Sequence, residues 1–193
     1  MTRSGVTAIY GVAAVLCAAL PVTTLHPGLA SLYVPYIIGP LVLSSAAMAL
    51  AAHAREAKYG ECVAATLWLL GAVAKSFELW SAPSSESYSF VLVLGHVLAV
   101  LIILGGIGSA ISGVLAARQG TVSGVLQALA YAVLSLELCW RGVALLSGGM
   151  QGNMNVFLML RHSQYVIGSC AVIIGVTALW QLHRRAPRRL TMR

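Results

Sequence analysis

Four ionisable side chains sit near the ends of two long apolar runs. Lys75 and Glu78 lie three apart in KSFELW, and Glu137 and Arg141 lie four apart in SLELCWRG. On a helix either spacing places acid and base on one face. A charge at mid-bilayer costs about 3 kcal/mol on insertion scales, so an acid–base pair at that depth reads as functional. The same residues admit a plainer role. Each pair falls in the last turn of its run, where long Lys and Arg stems reach the lipid head groups. Trp80 and Trp140 stand beside them, and Trp marks the interfacial belt. A polar rim with aromatic anchors is the expectation. The rival is a partly buried acid cluster facing a water-filled vestibule. Carboxylates crowded in a low-dielectric mouth hold protons more tightly than exposed ones, so in the rival reading Glu78 and Glu137 would answer falling external pH.

His96, in VLGHVLAV, is expected to be the most internal ionisable side chain, about two helical turns in from Tyr88. An unperturbed imidazole titrates near pH 6.5, so His96 could gate protons. Bonded in its neutral form to a neighbouring helix, it would only pack. Gln127, Ser163 and Gln164 are polar positions within apolar runs, and they serve either as interhelical glue or as the lining of a path. Gly105, Ser109 and Gly113 recur every four residues in GGIGSAISG. That stripe permits close approach of helices, within the chain or between copies in a homo-oligomer. No Lys-Ser/Thr follows it, so it is not a phosphate loop.

No two histidines have helical metal-ligand spacing, and Cys17, Cys62, Cys139 and Cys170 form no C-x-x-C. The cysteines read as small buried hydrophobes. No nucleophile–base set and no nucleotide motif is present. The expectation is a protein that is not an enzyme, with no metal and no cofactor.

The elements that position these residues follow from composition. Of 193 residues, 59% are hydrophobic and only 9% charged, where a soluble domain carries about a quarter. A spanning helix needs ~20 apolar residues, which leaves room for about six. The apolar runs are 6–24, 30–53, 62–80, 88–117, 121–147 and 156–182, separated by PVTTLHPG, HAREAKYGE, SAPSSES, RQGT and SGGMQGNMN. Backbone groups in lipid must be satisfied internally, so the runs should be helices. The fold class expected is all-α, a polytopic membrane bundle of six transmembrane helices over 1–185, with a basic tail at 186–193. The first run, after Arg3, shows no small-residue cleavage site and is expected to be a retained helix.

The net charge of +7 is concentrated, because Arg184, Arg185, Arg188, Arg189 and Arg193 crowd the last ten residues. Such a tail suits anionic lipid heads. Nucleic acid is excluded as a partner, since no basic folded surface accompanies it. With the N-terminus cytoplasmic, the inner side holds nine Lys and Arg and the outer side three. That bias places both termini in the cytoplasm, in a cell inner membrane.

The chain also repeats. Even helices end at Arg55, Arg118 and Arg184, at intervals of 63 and 66 residues. SFELW and SLELCW lie 59 apart, each at an outer helix end. Three αα-hairpins of about sixty residues are expected, over 6–55, 61–118 and 121–184.

YGVAAVLCAALPV followed by YIIGPLVLSSAAMALAAHAR, FVLVLGHVLAVLIILGGIGSAISGVLAAR, and QYVIGSCAVIIGVTALWQLHRR together resemble the HdeD family of bacterial inner-membrane proteins. That family builds six helices from repeated hairpins with Pro-containing outer turns. SFELWSAPSS keeps the proline and SGGMQGNMN lacks it. The resemblance implies a non-enzymatic role in envelope stress or acid resistance. A rival likeness is to the acetate/succinate transporters, with a polar break near HAREAKYGE, but their N-terminal Asn-Pro-Ala-Pro stretch has no counterpart in MTRSGVTAIYG. That likeness implies a carboxylate-binding role. A second reading of the chain is a small-solute channel or transporter, for a weak acid, an amide or a proton-coupled solute, with His96 in a continuous polar path. A third reading is an assembly partner that holds another membrane protein by its small-residue faces.

Overall fold

The computed structural model describes residues 3–24, 38–55, 59–77, 88–147 and 155–190, with side chains over 4–19, 38–55, 59–77, 93–147 and 162–185. All of the regular structure among them is helical: α1 (Arg3–Thr24), α2 (Gly39–Arg55), α3 (Tyr59–Ser76), α4 (Tyr88–Ala117), α5 (Val122–Leu146) and α6 (Asn155–Leu190). The elements follow the apolar runs. The main differences are at α2, which begins at Gly39 with Pro40 in its first turn, and at α6, which runs eight residues beyond 182 to Leu190. Proline suits a first turn because its missing N–H has no partner there.

Among the described residues, three segments are long and apolar enough to cross a membrane: Val93–Ala117, Val122–Leu146 and His162–Arg185. Outside, the molecule is apolar on every helix. Val15, Leu43, Leu70, Val93, Leu136 and Val176, one from each of α1 to α6, are all exposed. In water such a surface would aggregate; in lipid it is the solvated face. The inside carries the polar groups, among them Ser44, Ser45, Glu61, Lys75, Gln127 and Arg141, each buried.

The helices close a ring. Each packs chiefly on two others, in the order α1, α2, α6, α5, α4, α3 and back to α1. The two helices of each expected hairpin therefore touch. The joints between hairpins differ: α1 meets α3, α4 meets α5, and α2 meets α6. α2 and α3, consecutive in the chain, barely pack on each other.

Glycine sets the closest joint. A Cβ on Gly105 of α4 would lie 2.7 Å from the Cα of Gly71 on α3, and one on Gly108 would lie 2.7 Å from the Ala64 carbonyl oxygen. On the other flank of α4, a Cβ on Gly113 would sit 3.1 Å from Tyr131 Cβ of α5. The small-residue stripe thus serves two neighbours within the chain, which lets α4 approach both closely. The α4–α5 link is tight. Gly120 takes a left-handed φ of +63°, as helix-ending glycines do, and Thr121 Oγ1 accepts the Gly124 N–H at 3.1 Å to cap α5.

Candidate functional site

The ring's interior is crossed by polar side chains that join helices not adjacent in it. Trp68 Nε1 of α3 donates to Ser45 Oγ of α2 at 2.9 Å. Tyr10 Oη of α1 lies 3.4 Å from Ser112 Oγ of α4. Arg55 of α2 reaches Gln127 and Tyr131 of α5. Each link spans the ring past an intervening helix.

Arg55 is the hub. Its Nε donates to Glu61 Oε1 at 2.6 Å and its Nη2 to Glu61 Oε2 at 3.3 Å. Nη1 donates to Gln127 Oε1 at 3.0 Å, and Nη2 also donates to Tyr131 Oη at 3.3 Å. The guanidinium carbon stands 5.3 Å from the centre of the Tyr131 ring, within cation–π range. The Arg55 and Glu61 side chains are only 4% and 3% exposed. Three helices, α2, α3 and α5, contribute a side chain to it, and the Tyr10–Ser112 pair of α1 and α4 lies in the same interior.

Local sequence explains how the hub forms. Arg55 is the last residue of α2 and Glu61 sits in the first turn of α3. A cation at a helix C-terminus and an anion at an N-terminus each meet a favourable dipole end. The pair also joins two helices that hardly touch otherwise. Gln127 and Tyr131 are four apart on α5, on one face. Gln127 Oε1 accepts from Arg55, while Gln127 Nε2 is buried with no hydrogen-bond partner among the described residues.

The residues singled out from sequence fall in several places. Glu137 accepts from Arg141 Nε at 3.2 Å on α5, and the side chains are 15% and 3% exposed. Lys75 is buried near the end of α3. Arg141 and Lys75 thus turn into the bundle rather than reach for head groups, while Trp140 lies exposed on the outer face. Glu78 and Trp80 lie outside the described residues. His96 is exposed on α4 beside Val93, Val97 and Val100. It faces away from the ring's interior, and among the described residues the enclosed charged side chains are Arg55, Glu61, Lys75 and Arg141. Ser109 and Ser163 are buried, and their hydroxyls have no partner among the described residues.

Sequence reasoning gave no role to Glu61, Tyr10 and Tyr131, saw Ser112 only as a small packing residue, and used Arg55 only as a marker of sidedness and of the repeat. A signal existed for one of them, because Tyr131 follows the singled-out Gln127 by one helical turn. Beside the α4–α5 link, Gln181 Nε2 of α6 donates to Gln119 Oε1 and to Ser123 Oγ, both at 3.0 Å, tying α6 to that link. Among the described residues no three His, Cys, Asp or Glu side chains come together as metal ligands. Comparison with protein-family models, with curated proteins and with solved structures finds no match to this chain.

Proposed function

We propose that the chain is an integral membrane protein whose six helices all cross the bilayer, with both termini on the cytoplasmic side, and that the ring works as a conduit for a small polar solute. One observation carries this reading: the charged Arg55–Glu61 pair, nearly devoid of exposure, is enclosed within the ring by side chains of α2, α3 and α5. Ionisable groups enclosed among membrane helices are costly and mark pathways by default. The apolar exterior of all six helices supports the crossing of α1, α2 and α3 as well as of the three longer helices. The cluster binds and orients; it holds no arrangement for covalent chemistry, and the reading is not that of an enzyme. Ser112, Ser45 and Ser44 are further polar side chains buried on α4 and α2, and a solute would exchange its own hydrogen bonds for the ones they make within the chain.

The test is flux. The purified chain in liposomes should pass a panel of small polar solutes faster than empty liposomes do, and Arg55→Met with Glu61→Leu should abolish the difference. Equal flux in loaded and empty liposomes would retire the conduit.

A role in envelope stress or acid resistance, as the HdeD resemblance implies, is the second reading. Glu137 favours it: this carboxylate, paired with buried Arg141, is itself only partly enclosed, at 15% exposure. Glu137→Gln should then blunt acid survival in cells that depend on this chain, and unchanged survival removes the reading.

A further inference from the structure

We propose that one anionic phospholipid seats on the outer seam between α5 and α6, with its headgroup at Arg184 and Arg118 beside the α4–α5 link. The proposal rests on α5 and α6 crossing the bilayer and is independent of the conduit.

The seam follows from helical register. On α5, Ser123 faces α6, since its Oγ accepts from Gln181 Nε2 at 3.0 Å. Gly124 faces α4, where a Cβ would lie 2.6 Å from the Ala116 carbonyl oxygen. At about 100° per residue, Leu126, Val133 and Leu129 stand roughly 60°, 80° and 120° from Ser123, on the side away from α4. All three are exposed. On α6, Gln181 faces the link and Gly175 faces Ala47 of α2. Arg184, Ile173 and Trp180 stand roughly 60°, 80° and 100° from Gln181, on the side away from Gly175. Ile173 and Trp180 are exposed. Both helices thus bring apolar side chains to one outward-facing seam, and Arg184 closes its end near the link.

That end is built for an anion. The Arg184 guanidinium carbon stands 4.2 Å from the centre of the Trp180 ring, a cation held on an indole. Gln119, bonded to Gln181, brings the neighbouring Arg118 to the same end of the bundle. Arg118 directly follows one apolar segment, and Arg184 and Arg185 close another, which sets all three at head-group depth. Their side chains are exposed. No Asp or Glu follows Glu137 in the chain, so α6 supplies no acid to neutralise them.

Charge complementarity selects the occupant. A guanidinium meets phosphate oxygens with paired N–H donors. A zwitterionic lipid would bring its own ammonium among three arginines, whereas an anionic one brings none. The acyl chains then lie along Leu126, Val133 and Ile173, which a soluble phosphate or an acidic peptide would leave bare.

The experiment uses the full chain in bilayers of equal parts phosphatidylglycerol and phosphatidylcholine, with one or the other carrying brominated acyl chains. A variant keeping Trp180 alone should be quenched more strongly by brominated phosphatidylglycerol, and one keeping Trp140 alone should be quenched equally by both. One arginine near an anionic surface is worth about a fivefold change in affinity. Arg118→Gln and Arg184→Gln should therefore each cut the preference about fivefold, while Arg188→Gln with Arg189→Gln leaves it unchanged. A preference that follows Arg188 and Arg189 instead would assign it to diffuse attraction by the tail and overturn the site. Equal quenching of Trp180 by both lipids would also overturn it, leaving a seam bathed in bulk lipid. So would a Trp180 quenched by neither while Trp140 is quenched, since protein would then cover the seam. If the single-tryptophan variants do not fold, native mass spectrometry of the wild type and of the Arg118→Gln, Arg184→Gln double variant decides. The wild type should retain phosphatidylglycerol over phosphatidylcholine, the double variant should not, and equal retention by both proteins would sink the proposal.

Discussion

Cutting the Arg55–Glu61 pair from one side should damage the fold far more than removing both partners. In Glu61→Leu, Arg55 keeps its charge and stays enclosed, because its side chain is only 4% exposed. It loses two charge-assisted bonds, at 2.6 and 3.3 Å, each worth about 1.5–3 kcal/mol. Gln127 and Tyr131 remain as neutral acceptors and offset part of the loss. The net cost should be about 3–5 kcal/mol, the range for orphaning a buried charge. Arg55→Met alone should behave similarly, leaving Glu61 uncompensated. The double variant removes both ions and fills the space with apolar side chains, a change that is often neutral or stabilising. It should therefore unfold at higher denaturant than either single variant. The assay is a double-mutant cycle, with unfolding followed by far-UV circular dichroism in mild detergent titrated with SDS. Single variants costing less than about 1 kcal/mol, or costs that simply add, would mean that water reaches the pair and that the cluster is an ordinary surface ion pair.

Other outcomes follow from the same geometry. Gly105→Ala should destabilise by about 1–3 kcal/mol, since the new methyl would stand 2.7 Å from the Cα of Gly71 and backbone cannot yield as a side chain does; thermal unfolding in detergent measures it. Tyr131→Phe should cost about 1 kcal/mol by removing an acceptor of Arg55 Nη2, and Tyr10→Phe should cost less because its bond to Ser112 is longer at 3.4 Å. Trp140 is exposed and Trp68 wholly buried, so brominated lipids should quench the fluorescence of a variant keeping Trp140 alone and spare one keeping Trp68 alone. A maleimide should label Cys139 in the folded protein before Cys17, Cys62 and Cys170, because Cys139 is only half-buried and the others are buried.

Much of the architecture was legible in the apolar runs. Each apolar run corresponds to one of the six helices, three of them with segments long and apolar enough to cross a membrane, and RQGT correctly announces a tight link closed by Gly120. Which way a side chain points was less legible. Around His96 the run is apolar on every side, so no periodicity separates the inner face from the outer, and depth along the chain passed for depth in the bundle. Arg55 shows the opposite difficulty. An arginine at a helix end reads as a head-group contact. Its burial depends on Glu61, six residues on and in the next helix, and on Gln127 and Tyr131, over seventy residues away. Spacing rules for one helix do not encode such pairings. Lys75 and Arg141 were placed by the same end-of-helix rule, and they turn inward instead.

A buried ion pair is weak evidence for stability by itself, because apolar side chains of similar volume commonly do as well or better. That weakness gives the Arg55 cluster its meaning. If the pair served only to hold α2 against α3, which pack little on each other, the double apolar variant would fold and every property of the protein would survive. If the pair instead holds Gln127 with its Nε2 unmatched, the double variant would fold and lose solute flux, since Gln127 would be free to turn and bond elsewhere. Stability and flux then move in opposite directions in one variant, restored folding with lost function. A packing role cannot produce that divergence, because a fold-supporting contact loses function only as it loses stability. The arrangement of one acid, one base and one half-satisfied amide is therefore separable from scaffold by measuring both quantities on the same preparation.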